Sequence, residues 1–157
     1  MHVITTRNIK SFLMQYNTKF SVGIIPHGAP KIGYGLNGVA INTGLEISVP
    51  MSLNFCLDLE PKSHTLFIDF YNKPDLDPDM AVEIEYVEFE GMRLDRFRWN
   101  SRYYPRYPAN WDSANSPEFY DSSTYMGWNG RWELYFETPI FTWIHQLEHL
   151  GWVYTWP

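Results

Sequence analysis

Between Leu45 and Glu60 apolar and polar residues alternate. Leu45, Ile47, Val49, Met51, Leu53, Phe55, Leu57 and Leu59 fall on one side, with Glu46, Ser48, Ser52, Asn54, Asp58 and Glu60 on the other. A period of two predicts a half-buried antiparallel strand, interrupted near Pro50, whose nitrogen has no hydrogen to give a ladder. A second strand is predicted from Thr65 to Tyr71. Leu66, Ile68 and Phe70 occupy one face and Phe67 and Tyr71 the other, so this strand belongs in the middle of a sheet. From Ala81 to Glu90 the apolar phase flips between Tyr86 and Val87. A β-bulge there would keep both halves, Val82, Ile84 and Tyr86 and then Val87 and Phe89, on the core side.

The turn residues fit the same class. Asn37-Gly38 and Asn129-Gly130 both predict type I′ hairpins, the second joining Thr124–Trp128 to Arg131–Glu137. Ile140, Ile144, Leu147 and Leu150 recur at helical spacing before Gly151, predicting a short C-terminal helix, although the same stretch would also serve as strand. Residues 97–120 lack alternation, hold three prolines and are the one long candidate loop. Short strands separated by turns define an all-β chain, an antiparallel β-sandwich of jelly-roll type.

Composition sharpens this picture. The 157 residues suit one domain spanning 1–157, large enough to build a core without disulfides or structural metal. A net charge of −6 argues against a general nucleic-acid binder. Cys56 is the single cysteine, which excludes an intramolecular disulfide and a cysteine-rich zinc site. The N-terminus has no apolar export segment, and no run reaches the ~18 apolar residues of a membrane helix, so a membrane partner is not expected. Aromatic residues make up 18% of the chain, as pleated surfaces and shaped loops require.

Four constellations bear on chemistry. His145-Gln146-Leu147-Glu148-His149 matches the H-x-x-E-H zinc pattern, but no Asp, Glu, His or Cys follows to supply a third ligand, so a polar helix face is the expectation. Asp75, Asp77 and Asp79 alternate as hard oxygen ligands for calcium do. Met80 and Tyr86 stand where an EF-hand needs Gly and Glu, which leaves a non-EF calcium site or a solvated turn. Glu83, Glu85, Glu88 and Glu90 read as the outward partners of core residues rather than a glycosidase pair. No nucleophile elbow, phosphate loop or dinucleotide fingerprint occurs, and an enzyme is not expected.

The fourth constellation interleaves aromatics and arginines from Phe97 to Trp111. Trp99, Arg102, Tyr103, Tyr104, Arg106, Tyr107 and Trp111 supply rigid stacking faces and fork-shaped donors, suited to protein hot spots or sugar rings. They are the candidate contact residues; the alternative is that Trp99, Tyr103 and Trp111 cap an open sandwich end. Pro105 and Pro108 would hold this segment as an extended docking arm.

Leu66-Phe67-Ile68-Asp69-Phe70-Tyr71-Asn72-Lys73 with its acidic loop, Gly127-Trp128-Asn129-Gly130-Arg131-Trp132-Glu133-Leu134-Tyr135-Phe136 and Pro139-Ile140-Phe141-Thr142-Trp143 resemble small tailed-phage proteins. Those are similar in turn to β-sandwich carbohydrate-binding modules. The resemblance spans residues 45–150 and implies a structural or accessory subunit of a phage particle, located in the virion and assembled in the host cytoplasm. Its partners would be other virion proteins or further copies of the chain. The alternative is a module that binds surface glycans. Neither needs a cofactor beyond calcium.

Overall fold

The alternation that begins at Leu45 runs through two strands that lie in different sheets. In the computed structural model, which describes residues 14–148 apart from 76 and 110, the order is β1 (Tyr16–His27), β2 (Lys31–Leu36), β3 (Val39–Glu46), β4 (Met51–Leu59), β5 (Ser63–Phe70), β6 (Ala81–Phe89), a short helix α1 (Asp95–Trp99), β7 (Ser101–Pro105), β8 (Tyr120–Asp121), β9 (Tyr125–Met126), β10 (Gly130–Glu137) and α2 (Ile140–Leu147). One sheet has the order β4-β1-β6-β9 and the other β3-β2-β5-β10-β7-β8, with antiparallel pairing throughout. The two pack face to face as the predicted β-sandwich. The chain leaves β3 for the other sheet across Ile47–Pro50, and Ile47, 2% exposed, plugs the crossing.

Alternation placed most of the core, with Val49, 65% exposed in the crossing, as an exception. Leu53, Phe55 and Leu59 of β4 and Leu66, Ile68 and Phe70 of β5 belong to one buried cluster, and each such side chain contributes roughly 1.5–3 kcal/mol by leaving water. Aromatic rings tie the layers together. Phe20 lies 4.6 Å from Phe55, 5.4 Å from Phe89 and 5.2 Å from Phe136, and Phe89 reaches Phe97 of α1 and Trp143 of α2. Much of the aromatic content is therefore core, shared by both sheets and both helices.

Three expectations need correction. The β-bulge expected in β6 forms and keeps Val82, Ile84, Val87 and Phe89 buried, but it falls at Glu85, where Gly23 faces Tyr86 and Ile24 faces Ile84. Tyr86 consequently lies outside, its ring over Gly23, where a Cβ would sit 2.0 Å from it, and its hydroxyl donates to Ser52 Oγ at 3.0 Å. Asn129-Gly130 forms no hairpin: β9 pairs with β6 in one sheet, whereas β10 pairs with β5 and β7 in the other. Asn129 instead acts as a clasp, its side chain accepting from Lys73 N at 2.8 Å and donating to Lys73 O at 3.0 Å. Finally, residues 97–105 are not loop; β7 is an internal strand of the six-stranded sheet, so the extended docking arm is replaced by β7 and the loop 106–119.

Two other expectations hold as written. Asn37 and Gly38 adopt φ values of 51° and 81°, the left-handed pair a type I′ turn demands. The C-terminal helix forms over Ile140–Leu147, burying Ile140, Trp143 and Ile144; Leu150 and Gly151 lie outside the described residues.

Candidate functional site

Strand alternation divides the seven candidate residues. On β7, Ser101 and Tyr103 point into the sandwich while Arg102 and Tyr104 point out. Tyr103 is 3% exposed, and its hydroxyl donates to Trp128 O and accepts from Trp128 N at 2.9 Å. Burial pushes that hydroxyl's pKa far above its ordinary value. Tyr103 is thus a core residue that fastens the chain before β10, which corrects its assignment as a contact residue. Trp99 stands at the opposite end of β7, 47% exposed beside Arg96, Asn100 and Leu147 in a recess of about 300 Å³.

Tyr104 and Arg106 come together with residues the sequence did not single out as contacts. Pairing sets Gly33, Asp69, Arg131 and Tyr104 side by side across β2, β5, β10 and β7. Their outward side is a cavity of about 510 Å³ lined by Asp69, Tyr71, Tyr104, Arg106 and Arg131, within the ~300–1,000 Å³ usual for small-ligand sites. Gly33 leaves the β2 side of this row without a side chain. Arg131 donates from Nε and Nη2 to the two Asp69 oxygens at 2.8 and 2.9 Å, and its guanidinium lies 4.1 Å from the Phe67 ring centre. The hydrogen bonds to Asp69 raise the Arg131 pKa. This fork-to-fork pair fixes both side chains, because two parallel charge-assisted hydrogen bonds set the plane of the guanidinium.

The neighbouring outward groups are mostly engaged. Tyr135 donates to Glu133 Oε1 at 2.8 Å, and its pKa is raised by burial, then by hydrogen bonding with Tyr104 and Glu133. Arg102 donates to Asp121 Oδ1 at 2.9 Å and lies over Phe119, which also packs 5.6 Å from Tyr104. Hydrogen bonding with Tyr104, then Asp121, raises the Arg102 pKa. Arg106 differs. Its backbone N–H donates to Asn129 O at 2.7 Å, extending the β7 to β10 ladder, but its side chain is exposed and enters none of the ion pairs among the described residues.

Tyr107 and Trp111 pack against each other in the loop 106–119. Their rings stack at 6.2 Å with planes 10° apart, and Trp111 lies 4.9 Å from Trp128, which has Lys73 Nζ above it at 4.9 Å. Trp111 Nε1 donates to Ser116 Oγ at 2.9 Å and the Tyr107 hydroxyl to Pro117 O at 2.8 Å. Desolvation, then the hydrogen bond with Tyr120, pushes the Tyr107 pKa up to about 12. Trp111 keeps 46% of its surface exposed. The loop is folded upon itself, with the Trp111 indole held between Tyr107, Trp128 and Ser116.

No metal centre forms from the predicted ligands. Asp77 Oδ1 accepts from the N–H groups of Asp79 and Met80 at 3.0 and 3.2 Å, closing its own turn. Asp75 and Asp79 are exposed, and no group of three His, Cys, Asp or Glu able to hold a metal occurs among the described residues. In the H-x-x-E-H segment, Glu148 lies 3.6 Å from Arg96, and His149 is outside the described residues. A second surface recess, about 300 Å³ on the outer face of the four-stranded sheet, is lined by Lys19, Ser21, Asn54, Cys56 and Glu88 with only the edges of Phe20 and Phe55. It offers no exposed aromatic face.

The architecture that carries this cavity is an antiparallel β-sandwich of two sheets. No family model and no curated protein matches the chain. Among solved structures it is similar to the selenomethionine form of vCBM60, described with two families of calcium-dependent carbohydrate binding modules. That match has a TM-score of 0.51 and 13% identity, over 76% of this chain and 90% of that one. A vCBM60 complex with galactobiose matches at a TM-score of 0.47 and 11% identity, over 73% of this chain and 95% of that one. The first likeness shows the sandwich fold.

Proposed function

We propose that the chain is a non-catalytic glycan-binding module that takes its ligand on the outer face of the six-stranded sheet. One observation carries this reading: the cavity in which Tyr71 and Tyr104 stand beside a fixed Asp69–Arg131 pair. A sugar ring has apolar C–H faces and a rim of hydroxyls. Aromatic side chains accommodate the first, and a planar carboxylate with a guanidinium fork accepts from and donates to the second. The fold shared with a structure described as a carbohydrate-binding module supports the ligand class. The reading as a phage-particle subunit, with virion partners and a virion location, rests on the sequence resemblance alone.

Native gel electrophoresis through soluble polysaccharides tests the proposal. At least one neutral or acidic polysaccharide should retard the wild-type chain. Tyr104→Ala and, separately, Tyr71→Ala should weaken retention about tenfold, the worth of one aromatic contact, with the melting temperature confirming that each variant is folded. Unimpeded migration of the wild type through every polysaccharide overturns the reading.

A further inference from the structure

We infer, building on the glycan-binding reading, that the cavity selects acidic sugars and that Arg106 binds their carboxylate. The chain as a whole carries −6, yet the charged side chains lining this cavity are two arginines and one aspartate. Asp69 is satisfied on both oxygens by Arg131. Glu133, the next outward residue on β10, accepts from Tyr135, and Arg102, the next on β7, faces Asp121. The charge left over at the cavity is Arg106. Its chain position is fixed because the ladder with Asn129 continues past Pro105, so its guanidinium reaches a site whose other walls are already in place. A guanidinium fork is planar and always charged, and a carboxylate is the planar acceptor that matches it in two parallel hydrogen bonds. A neutral hydroxyl satisfies only part of that fork and leaves its charge uncompensated. In a uronate the carboxylate is attached directly to the ring, so a sugar lying between Tyr71 and Tyr104 can present that group at the cavity's edge while its C–H face meets an aromatic ring.

Retention by polygalacturonate, alginate and hyaluronate, each against its methyl-esterified form, tests this, with dextran sulfate against dextran as a separate arm. The wild-type chain should bind at least one uronate polymer about tenfold more tightly than the ester, the worth of a charge-assisted hydrogen bond, and added salt should weaken that binding. Arg106→Gln should erase the preference while leaving the melting temperature unchanged; Arg106→Lys should restore only part of it, lacking the fork. Equal affinity for acid and ester, or an unaltered preference in Arg106→Gln, overturns the inference while leaving glycan binding in place. Preference for dextran sulfate over every uronate overturns the assignment to a carboxylate. Absence of retention by any polymer, neutral or acidic, removes both the inference and the reading beneath it.

Discussion

His64, at 2% exposure, joins the turn between β2 and β3 to the start of β5 and the entry to α2. Its Nδ1 lies 2.9 Å from Asn37 Nδ2, and Asn37 Oδ1 accepts from Thr65 N at 2.9 Å, which fixes the amide with its NH2 toward the ring. Nδ1 must then accept, so the hydrogen sits on Nε2 and points to Glu60 O and Thr138 Oγ1, both at 3.0 Å. Burial, assisted by Lys62, holds the His64 pKa below 6.5 despite the opposing bond to Glu60. Because the folded state binds fewer protons than the unfolded one in that window, this contribution is full above about pH 6.5 and declines as pH falls toward the folded value. Urea denaturation should therefore show stability falling between pH 7 and 5, with a flatter profile in His64→Gln. His64→Ala should cost roughly 1–3 kcal/mol at neutral pH, because Asn37 and Glu60 lose a buried partner. This role was not legible in the sequence, since it depends on three segments far apart in the chain.

At the scale of elements, β10 decides whether the cavity exists. It carries Arg131 between β5 and β7, and Gly130 at its start lets β7 come close: a Cβ there would lie 2.3 Å from Tyr104 O and 2.9 Å from Pro105 Cα. Those are backbone atoms, so Gly130→Ala must push β7 aside. We expect a loss of about 1–3 kcal/mol in chemical denaturation, together with weaker glycan retention. Leu53→Asp should be more severe, since it places an unpaired carboxylate in the core at a cost of several kcal/mol; an unchanged melting temperature would refute the register. Leu53, Leu66 and Ile68 could be read from the chain because alternation alone assigns a face. Ser101–Pro105 could not, because tyrosines suit both faces of a strand and the serine that points inward looks like a surface residue. Asn129-Gly130 misled for a related reason: the dipeptide signals a tight turn, whereas here its asparagine is used to bridge Lys73. Asp69 and Arg131 stand 62 residues apart, and only the register brings them together.

Across the whole molecule, the acidic turn between β5 and β6 bears on metal binding. With Asp77 closing its own turn, calcium should leave the melting temperature unchanged between excess chelator and millimolar concentration, whereas a site filled to a hundred times its dissociation constant would add about 2.7 kcal/mol. A calcium-dependent rise would overturn this. Composition anticipated an aromatic-rich sandwich, and the resemblance to carbohydrate-binding modules reached the right fold, but neither could say which aromatics face water. Phe20, Phe89 and Trp143 are buried, and Trp111 is not. Cys56, the chain's single cysteine, is exposed on β4, on the outer face of the four-stranded sheet, while the cavity lined by Tyr104 and Arg131 opens from the six-stranded one. A maleimide-linked dye or a thiol tether to a sensor chip would thus attach on the far side of the sandwich. The unaltered chain can be immobilised in one orientation with its cavity turned to the solution.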